Sequence, residues 1–367
     1  MTYKETLFFI GQSLTINHST ENKIAIEKLL KENSVDWDAV VKVSTGHFVF
    51  PALYCNLKRA NFLHYLPEEL VNYMVHITDL NRERNQKIID QAKEINELLL
   101  ANNITPIFLK GTGNLLEGLY EDIAERMVGD IDFIVSKEEY TNTIKILYED
   151  NYKNLYDNKN PFPHTRHYTR IIKKNRIAAL EIHTELTSEK YFKRFGYEFI
   201  KKDLLKNTEN ETFISYDNQL CLSIISTHIN DNGFLFKRIS LKNSYDVFLL
   251  SLKVNTLKAV TSLKFLSFKL NSYLATSYYA LGKPKSILWI KNSRTKKYLY
   301  NFFKYLDKKP KLKFKLLNLF LFLKLRISII KKVFIKKEMR KWFFELINSK
   351  KWQNEKMIQL GIKKRIT

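Results

Sequence analysis

The stretch FLKGTGNLLEGLYEDIAERMVGDIDFIV, residues 108–135, holds four of the chain's ten glycines and ends by setting Asp130 and Asp132 alternately into an apolar run. Side chains alternate across a strand, so the two aspartates share one face, roughly 7 Å apart along the backbone, while Ile131 and Phe133 take the other. Two unpaired carboxylates that close raise each other's pKa unless a divalent cation lies between them. Magnesium prefers carboxylate oxygens and leaves positions for water and phosphate, which suits the place; manganese is the alternative ion. Upstream, ITPIFLKG (104–111) reads as a short strand closed by glycine and NLLEGLYEDIA (114–124) as a helix. LKGTGN is then a strand-to-helix turn, where the N–H groups of Gly111 and Thr112 can approach a phosphate without a Cβ in the way. Lys110 and Arg126 are placed to neutralise phosphate oxygens. The glycine spacing is neither the dinucleotide fingerprint nor a P-loop, since no GK[ST] follows.

Downstream, GDIDFIVS reads as a second strand and KEEYTNTIKILYEDN as a second helix. HYTRIIKKNRIAALEIHTEL (167–186) reads as a hairpin turning at Lys174 and Asn175, with Glu181 and His183 alternating against Leu180 and Ile182. A strand carrying Glu181 beside the Asp130–Asp132 strand would add a third carboxylate to a two-metal clamp for phosphoryl chemistry.

Around this core the patterns are helical. ENKIAIEKLLKEN and LNRERNQKIIDQAKEINELLLANN repeat apolar positions at helical spacing without glycine or proline, and from about residue 196 the chain is expected to be mostly helical again. The fold class expected is α+β: a small mixed sheet between helical flanks. The expected division is a helical region 1–103, a core 104–190 and a helical region 191–367 that is strongly basic after 250.

The net charge of +23 belongs to one segment. Residues 251–367 carry 30 Lys and Arg against 4 Asp and Glu, which leaves 31 against 34 of the chain's 61 and 38 for the first 250 residues. Such asymmetry fits a polyanionic partner, either nucleic acid or an anionic membrane surface, or else lysines decorating solvated helices. KKPKLKFKLLNLFLFLKLRISIIKKVFIKKEMRKWFFELI (308–347) interleaves lysine with leucine, phenylalanine and tryptophan, a pattern of interfacial helices, of RNA-backbone binding, and of helices packed onto their own domain. Cys55 and Cys221 form no CxxC pair, so a disulfide framework or cysteine zinc site is not expected and a reducing cytoplasm fits, with the inner membrane face as a peripheral location. No signal peptide or transmembrane helix is expected, since the longest apolar run, LLNLFLFL, lies between Lys315 and Lys324.

The run FLKGTGNLL…ERMVGDIDFIV followed by ALEIH resembles the bacterial uncharacterised nucleotidyltransferases of the DNA-polymerase-β-like superfamily, and more distantly the abortive-infection nucleotidyltransferase toxins. The resemblance implies a nucleotidyltransferase-type sheet and a magnesium-dependent transfer from an NTP to a hydroxyl or phosphate, releasing pyrophosphate. It implies Gly111 and Thr112 for the Gly-Ser/Thr motif, Asp130 and Asp132 for the metal pair, Glu181 for the third acid, and Arg126 as the arginine ahead of the pair. STHINDNGFLFKRISLKNSYDVFLL (226–250) resembles the helical motif following such a sheet, with Lys242 and Asp246 on one helix face and His228 before them as pocket residues. The acceptor stays open among small molecule, saccharide, RNA and protein. Two rival readings are a toxin-like transferase acting on RNA or protein, and a non-catalytic basic RNA- or membrane-binding protein with a degenerate nucleotide site.

Overall fold

The computed structural model describes residues 1–155, 166–349 and 353. They fall into two compact units: Met1–Leu155 with Arg166–Lys309, and a second from Pro310 onward. The end of the basic C-terminal region, residues 354–367, lies outside the described residues.

The first unit contains, among the described residues, a seven-stranded mixed sheet. Its strands are β1 Ile107–Phe108, β2 Asp130–Ile134, β3 Lys153–Asn154, β4 Ile171–Ile172, β5 Ala179–His183, β6 Leu204–Lys206 and β7 Thr212–Ile214, in the order β3-β4-β5-β2-β1-β7-β6. With helical regions before and after the sheet, the fold is α+β, as the pattern of elements implies. Its centre is the parallel pair β2 and β5, in register Asp130↔Ala179, Asp132↔Glu181 and Ile134↔His183. Ile131, Phe133, Leu180 and Ile182 turn one face into the core and are all 0% exposed. The aspartates, Glu181 and His183 share the other face.

The helix expected over 114–124 is shorter and starts earlier, at Lys110–Leu116. It stops before Gly118, whose φ of +73° breaks the helical run, and a 3₁₀ turn at Ile123–Glu125 follows. Gly111 and Gly113 therefore sit inside the helix. A Cβ on Gly113 would come within 2.9 Å of the Phe108 carbonyl oxygen, so this glycine lets the helix close onto β1. Gly113→Ala is expected to cost about 1–3 kcal/mol through overpacking; an unchanged Tm would count against that contact.

The expectation of a mostly helical chain after 196 misses β6 and β7. β7 is parallel to β1 and extends the sheet, but three-residue strands such as TFI are too short to show a period. The hairpin is present, with Asn175 at φ +65° in its turn. Its register is less simple, and Gln91, buried in the long helix Glu68–Leu100, binds both backbone groups of Ala178: Oε1 accepts from the N–H at 3.0 Å and Nε2 donates to the carbonyl at 3.0 Å. Ile171 pairs with Leu180. Among the described residues no helix is long and apolar enough to cross a membrane.

Candidate active site

A cavity of about 350 Å³, within the usual range of small-ligand sites, opens on the polar face of β2 and β5. Eight of the ten site residues expected from the sequence line it: Asp130, Asp132 and Glu181 from the strands, Lys110, Gly111 and Arg126 from the glycine-rich helix start and its sequel, Lys242 and Asp246 from the helix Leu241–Ser251. Thr112 does not. Its hydroxyl donates to the Asp130 carbonyl at 2.9 Å, fastening the helix start to the first residue of β2.

Asp132, Glu181 and His183 bring one ligand atom each within 4.8 Å of one another. Lys110 Nζ lies 2.6 Å from Asp132 Oδ1, 3.7 Å from Glu181 Oε2 and 3.3 Å from His183 Nε2, and the same imidazole nitrogen is 2.8 Å from Asp132 Oδ1. Asp130 stands outside this group of three. Arg170 Nη2 holds it at 2.9 Å, and Arg170 Nε donates to Glu181 Oε1 at 2.8 Å. The two aspartates are therefore not unpaired, because each has its own cation.

The electrostatics divide the cluster. Burial works to raise Asp132, but the Lys110 charge and the His183 hydrogen bond outweigh it and hold the carboxyl well below its ordinary range. Asp130 moves the other way: burial pushes it up, with Glu181 and Asp132 adding to the rise and Arg170 opposing it. Burial and the neighbouring Lys110 charge lower His183, which favours the neutral imidazole.

Arg126 is 6% exposed and Asp246 1% exposed. Arg126 Nε donates to the Asp246 carboxylate at 3.0 and 3.2 Å, Tyr120 adds a hydrogen bond to Asp246 at 2.7 Å, and Arg126 Nη1 donates to the Met127 carbonyl at 3.0 Å. Two buried asparagines of the long helix support this segment: Asn81 Nδ2 donates to the Ala124 carbonyl at 2.7 Å and Asn85 Nδ2 to the Arg126 carbonyl at 2.7 Å. Asp246 thus positions Arg126. Lys242, one turn earlier on the same helix, lies 4.9 Å from the Phe48 ring centre, and burial with the nearby Arg126 charge brings its pKa down to about 8.

His228 is placed elsewhere. It is buried beside Phe234, Tyr273 and Tyr298, and neither ring nitrogen has a hydrogen-bond partner. The π-helical segment Ile225–Asn230 that carries it lends Ser226, Thr227 and Asn230 to the cavity wall. Sequence reasoning missed Arg170, His183 as a partner of Asp132, and the asparagines behind Arg126.

The lining balances five cationic side chains, Lys110, Arg126, Arg166, Arg170 and Lys242, against five acids, Asp130, Asp132, Glu181, Asp231 and Asp246. A triphosphate entering this neutral lining leaves much of its charge uncompensated. A divalent cation on the carboxylate cluster offsets part of that charge, and oxygen donors from Asp130, Asp132 and Glu181 are of the type a hard cation takes. The residues present fit such an ion.

Acids on adjacent parallel strands, a glycine-rich helix start beside them and five cationic side chains thus line one cavity. The chain belongs to the uncharacterised nucleotidyltransferase family, whose model matches residues 33–263 and so spans the whole site. It is a nucleotidyltransferase. No curated protein and no solved structure matches it.

Proposed function

We propose that the cavity binds an NTP with a divalent cation and transfers its nucleotidyl group to a hydroxyl or phosphate acceptor, releasing pyrophosphate. The observation that carries this reading is the convergence of the carboxylates of β2 and β5, the Gly111 turn, Arg126 and Lys242 on one cavity. Asp130, Asp132 and Glu181 would hold magnesium or manganese, which supplies countercharge and polarises the phosphoryl oxygens. Arg126, fixed by Asp246, presents a guanidinium to phosphate, and Lys110 and Lys242 add point charges. At Gly111 a Cβ would meet Val128 at 2.9 Å and Arg126 at 3.5 Å, so glycine keeps the arginine close to the turn. In the reaction the acceptor oxygen bonds to the α-phosphorus, the bond from that phosphorus to the bridging oxygen breaks, and pyrophosphate leaves. The acceptor's proton passes to a carboxylate. Asp130, which burial raises above its ordinary range, suits this role better than Asp132, which Lys110 and His183 hold low.

The test is full-length protein with magnesium or manganese, each α-labelled NTP in turn, and cell extract as acceptor. We expect cation-dependent nucleotide binding and label transfer with pyrophosphate release. Failure of all four nucleotides to bind would refute the reading. A pH series adds a second check, since Lys242 attracts phosphate only when protonated. Nucleotide affinity is expected to fall about tenfold, the worth of one charge-assisted contact, as pH rises through about 8. In Lys242→Met that step should vanish and affinity should be low throughout; a wild-type step surviving in the variant would assign it to another group.

A further inference from the structure

The second unit carries a surface that nucleotidyl transfer does not use and that lies beyond the family match at 33–263. Its helix Lys311–Ile335 has 25 residues and no buried one. At 3.6 residues per turn, Leu312, Leu316, Leu319, Leu323, Ile327, Ile330 and Phe334 fall on a single line, spaced by three and four. Each is 49% or more exposed. On the opposite side Phe314, Leu317, Leu321 and Ile329 are only partly exposed, while Leu325 and Ile335 are exposed as well. Within this unit the stripe is exposed along the whole length of the helix, and Phe320 and Phe322 add exposed apolar surface beside it.

Its flanks say what covers it. Lys313, Lys324 and Lys331 fall on one side of the stripe, and Lys311, Lys315 and Arg326 on the other. The helix holds seven Lys and Arg and no acid. Two copies packed stripe to stripe would set lysine rows against lysine rows, where a self-associating helix needs opposite charges. An RNA backbone would match the charge but leave seven large apolar side chains in water. A layer with an apolar interior and an anionic surface matches both: acyl chains take the leucines, and phosphate headgroups take the ammonium groups, whose stems reach outward from the buried stripe.

We propose that Lys311–Ile335 is a membrane-docking helix that lies in the plane of an anionic lipid surface and holds the nucleotidyltransferase there. The absence of a membrane-crossing helix among the described residues agrees with docking on the surface rather than insertion through it.

The test is flotation of the full chain with phosphatidylcholine vesicles, with and without about a third phosphatidylserine, a content chosen to give a strongly negative surface. We expect at least about tenfold tighter partitioning to the anionic vesicles, weakening as salt rises. Leu319→Ser/Leu323→Ser should abolish it, and Lys324→Gln/Lys331→Gln should remove the preference for anionic lipid. Both pairs are exposed, so thermal unfolding should match the wild type. A label on Leu323→Cys, selective because Cys55 and Cys221 are buried, should blue-shift with anionic vesicles. Equal flotation of the wild type and the serine pair would overturn the proposal. So would a dimer that the serine pair dissolves, or RNA binding without vesicle binding. None of these outcomes touches nucleotide binding, so the test is independent of the active-site reading.

Discussion

Asp132→Asn is expected to lower nucleotidyl transfer by about 10³-fold or more, the loss of several kcal/mol of charge stabilisation in the transition state. Asp132 is the acid on which the cluster converges, within hydrogen-bond distance of both Lys110 and His183 and in register with Glu181. An amide leaves one oxygen acceptor and no charge. Asp130→Asn should cost less, because Asp130 lies outside the three-donor group and is engaged by Arg170. Initial rates with labelled NTP rank the two variants; a milder loss from Asp132→Asn would overturn this order. The same variant tests the electrostatics through stability. Asp132 has its folded-state pKa below the ordinary 3.8, so its contribution is fully present above that pH and is lost as pH falls through the folded value. Asp132→Asn should therefore be less stable than wild type at neutral pH, with the gap closing in acid.

Much of this site was legible because strand parity is a strong constraint. Asp130 and Asp132 must share a face once β2 is recognised, and Glu181 joins them once β5 is placed alongside in either of the registers that keep parity. Arg170 was hidden for a reason visible in the hairpin. A tight turn at Lys174 and Asn175 sets Arg170 across from Ala179, whereas the pairing of Ile171 with Leu180 moves the register by two and brings Arg170 across from Glu181. That shift accompanies the two hydrogen bonds exchanged between Gln91 and Ala178, a contact spanning 87 positions that no local pattern contains. Asn81 and Asn85 were equally silent, because a polar residue inside an amphipathic pattern reads as solvated until a distant carbonyl is found for it. The glycine turn was recognised and its helix misplaced, since Gly111 and Gly113 look like turn residues while close packing seats them within the helix.

The pair of Lys242 and Asp246, expected to work side by side on one helix face, is divided by the structure into a cavity cation and a buried anchor, and this division yields the second large effect. Asp246→Ala is expected to destabilise the protein by about 3–5 kcal/mol, because it strands the Arg126 guanidinium without its counter-ion. Arg126→Met should cost a similar amount by stranding the carboxylate. The double variant Arg126→Met/Asp246→Leu removes both charges and should recover much of that loss, though not all, since the Tyr120 hydroxyl still loses the acceptor it finds at 2.7 Å. Nucleotide affinity should behave differently. If Arg126 contacts phosphate and Asp246 only holds it, the double variant folds but binds NTP no better than Arg126→Met alone. Urea titrations and equilibrium binding on all four proteins complete the cycle. Recovery of binding together with stability would show the pair to be a structural ion pair and would remove Arg126 from the proposed site.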